Sequence, residues 1–283
     1  MTPRADRPVN IVGAGLAGGL LAVLLARRGF AVDVYDRRPD PRLAGSERGR
    51  SINLALAARG IVALEQAGMM ERIRPLLIPM RGRMVHSPSG DVQLQPYGQR
   101  PDEVIYSVSR GALNRVLMEE AARHPRVQLR FRHTCLAALP GSDTLQFRDE
   151  TTGAECTAPI APTLATDGAG SAVRASLARA GLITVREDRL DHDYKELTIA
   201  AEPGARHAME PHALHIWPRG GYMLIALPNT DGSFTATLFL ARSGPDGFDS
   251  LASADRVRAL FRSQFPDALK LMPDLFEEFT GNP

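Results

Sequence analysis

Apolar positions near the start of this chain run together, whereas those after Tyr194 alternate with polar ones. Val9 to Val12 is a short apolar run closed by glycine, the pattern of a strand buried on both faces. Leu16, Leu20, Val23 and Leu24 then share one helical face, and Arg27-Arg28-Gly29 supplies the cations and glycine that end a helix. Ala31 to Tyr35 reads as a second strand ending in Asp36, followed by a polar loop from Arg37 to Arg50. Ile52 to Met70 is expected to be helical, with Leu54, Ile61 and Leu64 on one side. Ser109 is placed to cap a helix carrying Leu113, Val116, Leu117 and Ala121, which stops before Pro125. Val127, Leu129 and Phe131 alternate as a strand. Further on, Tyr222–Leu227 and Phe234–Leu240 are β-rich runs around Pro228-Asn229-Thr230-Asp231-Gly232, a hairpin in an antiparallel sheet. Ser253 should cap a last helix with Val257, Leu260, Phe261 and Phe265 on its apolar face.

Composition narrows the class. With 44% hydrophobic and 23% charged residues among 283, the chain is an ordinary globular protein with room for one large domain or two. A formal charge of only +2 gives no argument for nucleic acid or a membrane surface. Two cysteines, Cys135 and Cys156, form neither a disulfide framework nor a zinc motif, and a reducing cytoplasm fits. Val9 to Ala26 resembles a signal peptide or span in apolarity, but its four glycines and the following Asp33-Val34-Tyr35-Asp36 favour strand, turn and helix. The seven histidines show no metal spacing, so no metal is expected, and His86, His212 and His215 read as structural.

Gly13-Ala14-Gly15-Leu16-Ala17-Gly18 matches GxGxxG between the first strand and helix. Gly13 permits the tight turn, Gly15 lets a pyrophosphate approach the backbone, and Gly18 lets helix and strand pack closely. Asp36 closes the second strand 18 residues past Gly18, where a carboxylate can accept hydrogen bonds from both ribose hydroxyls. An ADP-containing cofactor follows; FAD and NAD are not separated by this motif.

Arg50 to Leu56, Ser107 to Arg110 and Thr166 to Arg174, the last with Asp167-Gly168, together resemble the aromatic-hydroxylase group of flavoprotein monooxygenases. Within that group, GRSINLAL, IPMRGRMVHSPSG, YSVSRGALN, HALHIWPRG, MLIALPNTDGSFTATLF and FPDALKLMPDL are similar to the kynurenine 3-monooxygenase family, in order over nearly the whole chain. The resemblance implies an α/β fold: a Rossmann-like FAD-binding domain with an inserted, mostly antiparallel β-sheet substrate domain. The expected boundaries are 1–75 and 102–185 for the FAD-binding part, and 76–101 and 186–283 for the substrate sheet and following helix. It implies FAD, reduced by NADPH and reoxidised by molecular oxygen to a C4a-hydroperoxide that hydroxylates L-kynurenine to 3-hydroxykynurenine, in tryptophan catabolism. Arg83 and Tyr97 fall where the family holds the amino-acid carboxylate. Flavin contacts map onto Ala17, Tyr35, Asp36, Arg37, Arg38, Ala55, Arg110, Cys135 and Ala172, and Asp167 belongs to the motif near flavin and nicotinamide. The alternatives are a related FAD hydroxylase of another aromatic acid and a nucleotide-binding module without activity.

Two features depart from the family. Ala158 to Thr166 should be a buried parallel strand, yet Pro159 and Pro162 cannot donate ladder bonds and are expected to shorten or displace it. The chain also stops at Pro283, before the family's second flavin motif, so an incomplete version is expected.

Overall fold

A computed structural model describes residues 7–43 and 53–282; Arg50, Ser51, Ile52 and the end of the expected loop lie outside the described residues. In chain order the elements begin with β1 (Val9–Val12), α1 (Leu16–Arg27), β2 (Val32–Asp36), β3 (Asn53–Leu56), α2 (Ala58–Gln66) and α3 (Met70–Ile73). They continue through β4 (Ile78–Met80), β5 (Gly82–His86), β6 (Val92–Pro96), β7 (Ile105–Ser109), α4 (Arg110–Arg123) and β8 (Val127–Phe131). Next come β9 (His133–Leu139), β10 (Thr144–Asp149), β11 (Glu155–Pro159), β12 (Thr163–Ala165), α5 (Ala172–Arg179) and β13 (His192–Ile199). The last are β14 (Leu214–Pro218), β15 (Met223–Pro228), β16 (Phe234–Ala241), α6 (Ala254–Gln264), α7 (Pro266–Leu269) and α8 (Leu275–Gly281).

The chain divides into two compact units. The first comprises Met1–Glu47, Val62–Ile73 and Gly111–Glu187. Its parallel sheet has the order β12-β1-β2-β8, and β9, β10 and β11 form an antiparallel meander. Every residue of β1 is buried, as its unbroken apolar pattern requires. Tyr35 stacks on Phe147 at 4.1 Å between centroids, in a small core with Val12, Leu145 and Val173.

The second unit comprises Arg48–Ile61, Arg74–Arg110 and Asp188–Pro283. Its six-stranded sheet has the order β13-β16-β15-β14-β5-β6, antiparallel except for the β14–β5 pair, and β3, β7 and β4 form a smaller antiparallel sheet. The larger sheet's core joins Phe234, Ala236, Leu238 and Leu240 of β16 to Val257, Phe261 and Phe265, the stripes their periodicities foretold. Ser253 caps α6 by accepting the Arg256 N–H.

Two expectations change. Asn53–Leu56 is a strand rather than the start of a helix, because it pairs with β7 from Asn53 opposite Ser109 to Leu56 opposite Tyr106. Its Asn53 amide donates to Ser107 Oγ at 3.0 Å and to the Pro228 carbonyl at 2.9 Å, a tertiary attachment that overrides helical spacing. The run Ala158–Thr166 is two strands: β11 ends at Pro159 in the meander, and β12 is only three residues long, parallel to β1. Pro162 lies between them and accepts the Asn10 N–H through its carbonyl at 2.9 Å. β12 ends the sheet order, and Leu164 is exposed rather than buried. Among the described residues no helix is long and apolar enough to cross a membrane, and the apolar run Val9–Ala26 is divided between β1 and α1.

Candidate functional site

The glycine turn between β1 and α1 is built from three different uses of a missing side chain. Gly13 has φ +101°, and a Cβ there would lie 2.5 Å from the Thr166 carbonyl oxygen, so both backbone conformation and space demand glycine. A Cβ on Gly18 would strike the Gly13 carbonyl oxygen and approach Thr166 Oγ1 at 2.7 Å, so this glycine lets the helix sit down on the turn. Gly15 is different: it caps α1 with φ −71°, and a Cβ built on it meets nothing of the described residues within 4 Å. Its lack of a side chain serves no contact among the described residues. It leaves clear a cradle in front of the amides that open α1.

Asp36 ends β2 beside this turn and is buried. Its Oδ2 accepts the Ala14 N–H at 2.7 Å, and Oδ1 accepts the Arg38 N–H at 2.8 Å. The Arg38 guanidinium adds a bidentate pair, Nε to Oδ1 and Nη2 to Oδ2, each at 3.0 Å. Burial opposes ionisation, but Arg38 and the two backbone amides outweigh it and hold the carboxyl below its ordinary value.

Thr166 precedes the Asp-Gly turn and binds it to the first. Its N–H and hydroxyl donate to the Val12 carbonyl at 2.7 and 3.1 Å, and the hydroxyl lies 2.7 Å from the Gly13 carbonyl. Asp167 Oδ1 is buried with no hydrogen-bond partner among the described residues, and Gly168 has φ +83°. Ser171 then caps α5, where Ala172 is the first residue. Cys135 on β9 is a half-buried thiol whose pKa burial, with help from the Asp167 charge, pushes to about 11, so it stays protonated at neutral pH.

In the second unit, Arg83 is an exposed residue of β5, and its guanidinium carbon sits 5.4 Å from the centroid of the Tyr97 ring. The Tyr97 hydroxyl is buried and has no hydrogen-bond partner among the described residues. Burial pushes that phenol above its ordinary pKa while Arg83 pulls it back.

The glycine turn, the acid and the Asp-Gly segment decide which comparison matters. The family model for the FAD binding domain matches residues 6–247. The chain belongs to that family. Among curated relatives of this FAD-binding chain, kynurenine 3-monooxygenase of Myxococcus xanthus (strain DK1622) is 46% identical over 275 residues, covering 97% of this chain and 59% of the relative. The enzyme of the same name from Xanthomonas axonopodis pv. citri (strain 306) is 45% identical over 283 residues, 100% of this chain and 62% of its own. The chain therefore spans about 60% of the length of these relatives. Among solved structures, a flavoprotein/dehydrogenase from Cytophaga hutchinsonii shares the fold at TM-score 0.72 and 18% identity, over 94% of this chain and 63% of that one. The p-nitrophenol 4-monooxygenase PnpA of Pseudomonas putida DLL-E4 does so at TM-score 0.70 and 18% identity, over 95% and 65%. The architecture is that of the flavin monooxygenases, α/β with antiparallel sheets.

Within the FAD binding domain the named residues are distributed unevenly. Gly13, Gly15, Gly18, Asp36 and Asp167 meet around the turn, with Ala17 exposed on the first turn of α1. Tyr35 contributes only its backbone there: its carbonyl accepts the Gly13 N–H at 2.7 Å, while its ring packs on Phe147. Arg37 and Arg38 are exposed beyond β2, Ala55 is exposed on β3, and Arg110 is the exposed first residue of α4. Ala14 and Thr166 were missed by motif reading, the first because it acts through its backbone amide, the second because its partners Val12 and Gly13 lie far away in the chain.

Asp36 gives a pH prediction. Its carboxyl titrates lower in the folded chain than in the unfolded, so the charged form stabilises the fold above the ordinary carboxylate range. That contribution is lost as pH falls through the folded value. Asp36→Asn should cost ~1–3 kcal/mol at neutral pH and flatten the acid limb of stability, read by urea unfolding at pH steps. An acid limb identical to the parent's would discount Asp36 as its source.

Proposed function

We propose that these residues bind FAD and L-kynurenine as part of a kynurenine 3-monooxygenase. The observation that carries the substrate is the Arg83–Tyr97 pair: an exposed guanidinium beside a buried hydroxyl that has no hydrogen-bond partner among the described residues. A planar guanidinium takes a carboxylate through two parallel hydrogen bonds, and the orphaned phenol supplies a third donor. The 46% identity to an enzyme of that name supports the same substrate.

The residues present fit the cofactor. The clear space before Gly15 admits a pyrophosphate to the α1 amides, where the helix end favours negative charge. Asp36 is the ribose acceptor, and Asp167, with its unpartnered buried oxygen, is a further polar contact. When bound, FAD reduced by NADPH and reoxidised by oxygen supplies the inserted oxygen atom: kynurenine, O₂, NADPH and a proton give 3-hydroxykynurenine, NADP⁺ and water. Arg83 and Tyr97 hold the substrate's carboxylate end, and the protonated Cys135 takes no part as a nucleophile. The bond from the Ala14 N–H to Asp36 sets the turn from which the dinucleotide is held. We place the protein in the cytoplasm on its free cysteines, Cys135 and Cys156.

The full chain, purified and loaded with FAD, tests this reading by its visible absorption and by NADPH oxidation with and without a panel of aromatic acids. Flavin bound and oxidation accelerated by kynurenine alone is the expected result. Acceleration by anthranilate or a phenolic acid instead assigns a related hydroxylase, and bound flavin with no stimulation assigns a nucleotide-binding module.

A further inference from the structure

The second unit contains a chain of buried hydrogen-bonding rings that the flavin reading leaves unused. His215 Nε2 lies 2.9 Å from the Glu210 carbonyl, His215 Nδ1 lies 2.9 Å from His86 Nε2, and His86 Nδ1 lies 3.0 Å from Asp267 Oδ2. Both imidazoles are buried, and the His86 ring stacks on Trp217 with centroids 4.0 Å apart and 19° between planes. The Trp217 indole N–H donates to the same Asp267 oxygen at 2.8 Å.

Counting hydrogens exposes a deficit. The Glu210 carbonyl can only accept, so His215 carries its hydrogen on Nε2. Two neutral imidazoles own two hydrogens, and the three ring contacts need three. Without another proton, either His86 presents a lone pair to the Asp267 carboxylate or two imidazole lone pairs face each other at 2.9 Å. The missing hydrogen does not belong to Asp267: burial resists its ionisation, but the Trp217 N–H and backbone amides hold that carboxyl below its ordinary value. Nor does each ring take its own proton. Burial, with the charge of His86 added, pushes His215 to about 4. One shared proton fills all three contacts and leaves the imidazolium–carboxylate pair electrically neutral, with the indole face beneath it.

We propose that His86, His215 and Asp267 form a proton-sharing clamp, in which one proton held by the two imidazoles fastens α7 to β5. His86 belongs to β5, the strand that also carries Arg83, and Asp267 belongs to α7. Asp267 raises the proton affinity of His86, so by reciprocity the proton strengthens the hold of Asp267. Burial and the Arg219 guanidinium, which donates to the His86 carbonyl at 3.0 Å, oppose the proton and bring its release below the ordinary imidazole range. The charge of Glu210 favours a proton on His215. The clamp is thus set to respond to acidification below the ordinary imidazole range, whatever the substrate of the chain.

Nitrogen-15 NMR of the histidine side chains in the full chain, from pH 8 to 4, tests this directly. The two rings should shift together through one step that takes up a single proton, well separated from any second step. In Asp267→Asn that first step should fall by about one pH unit. Amides of β5 and α7 should exchange more slowly, after correction for intrinsic rates, on the acid side of the step. Independent titration of His86 and His215, or a step that Asp267→Asn leaves in place, overturns the clamp. Should Asp267→Asn fail to fold, joint against separate titration of the parent still decides.

Discussion

Gly15→Val is expected to leave the fold unchanged and to weaken FAD binding by ~100-fold or more, about 3 kcal/mol. The reason lies in what each glycine of the turn touches. At φ −71° and ψ −171° the Gly15 backbone is extended and suits a β-branched residue, and its added Cβ has no atom of the described residues within 4 Å. The new side chain fills only the space a pyrophosphate needs, so far-ultraviolet circular dichroism and melting should match the parent while flavin is lost. Gly18→Ala makes the contrast. Its Cβ falls against the Gly13 carbonyl and Thr166 Oγ1, so that variant should melt early whether or not flavin is supplied. Equal FAD retention by Gly15→Val and the parent would remove the pyrophosphate from this turn.

Arg83→Ala should weaken kynurenine binding by ~2–4 kcal/mol, thirty-fold to nearly a thousand-fold, with flavin content little changed. Arg83 is exposed on β5 and partnered by the face of Tyr97, so its removal costs the fold little. What is lost is a charged bidentate donor, and the hydroxyl of Tyr97 cannot replace it. Titration calorimetry with kynurenine on the FAD-loaded chain measures the effect. An unchanged dissociation constant would take the carboxylate away from this pair, and Arg83→Lys, which keeps charge but not the planar fork, should recover only part of the loss.

Elements with one dominant local cause were legible in the sequence. β1 is buried on both faces and so reads as an unbroken apolar run, and the turn after β15 announces itself through Asn229, Asp231 and Gly232. Ser253 caps α6 through its own side chain. What was hidden is decided by partners far along the chain. Asn53–Leu56 carries apolar residues at helical spacing, and only the pairing with Ile105–Ser109 makes it a strand. The site divides in the same way. The glycine turn and Asp36 follow from local spacing, but the tie from Thr166 to Gly13 spans 153 positions and the His86–His215 contact spans 129. No local pattern encodes either.

The crowding around Asp36 changes how cofactor loading should be understood. A carboxylate has room for about four hydrogen bonds, and Ala14 and Arg38 already supply that number. If ribose hydroxyls are to reach this acid, they must evict the Arg38 side chain. Uptake is then an exchange rather than an addition, and its net strength is the difference between two sets of contacts.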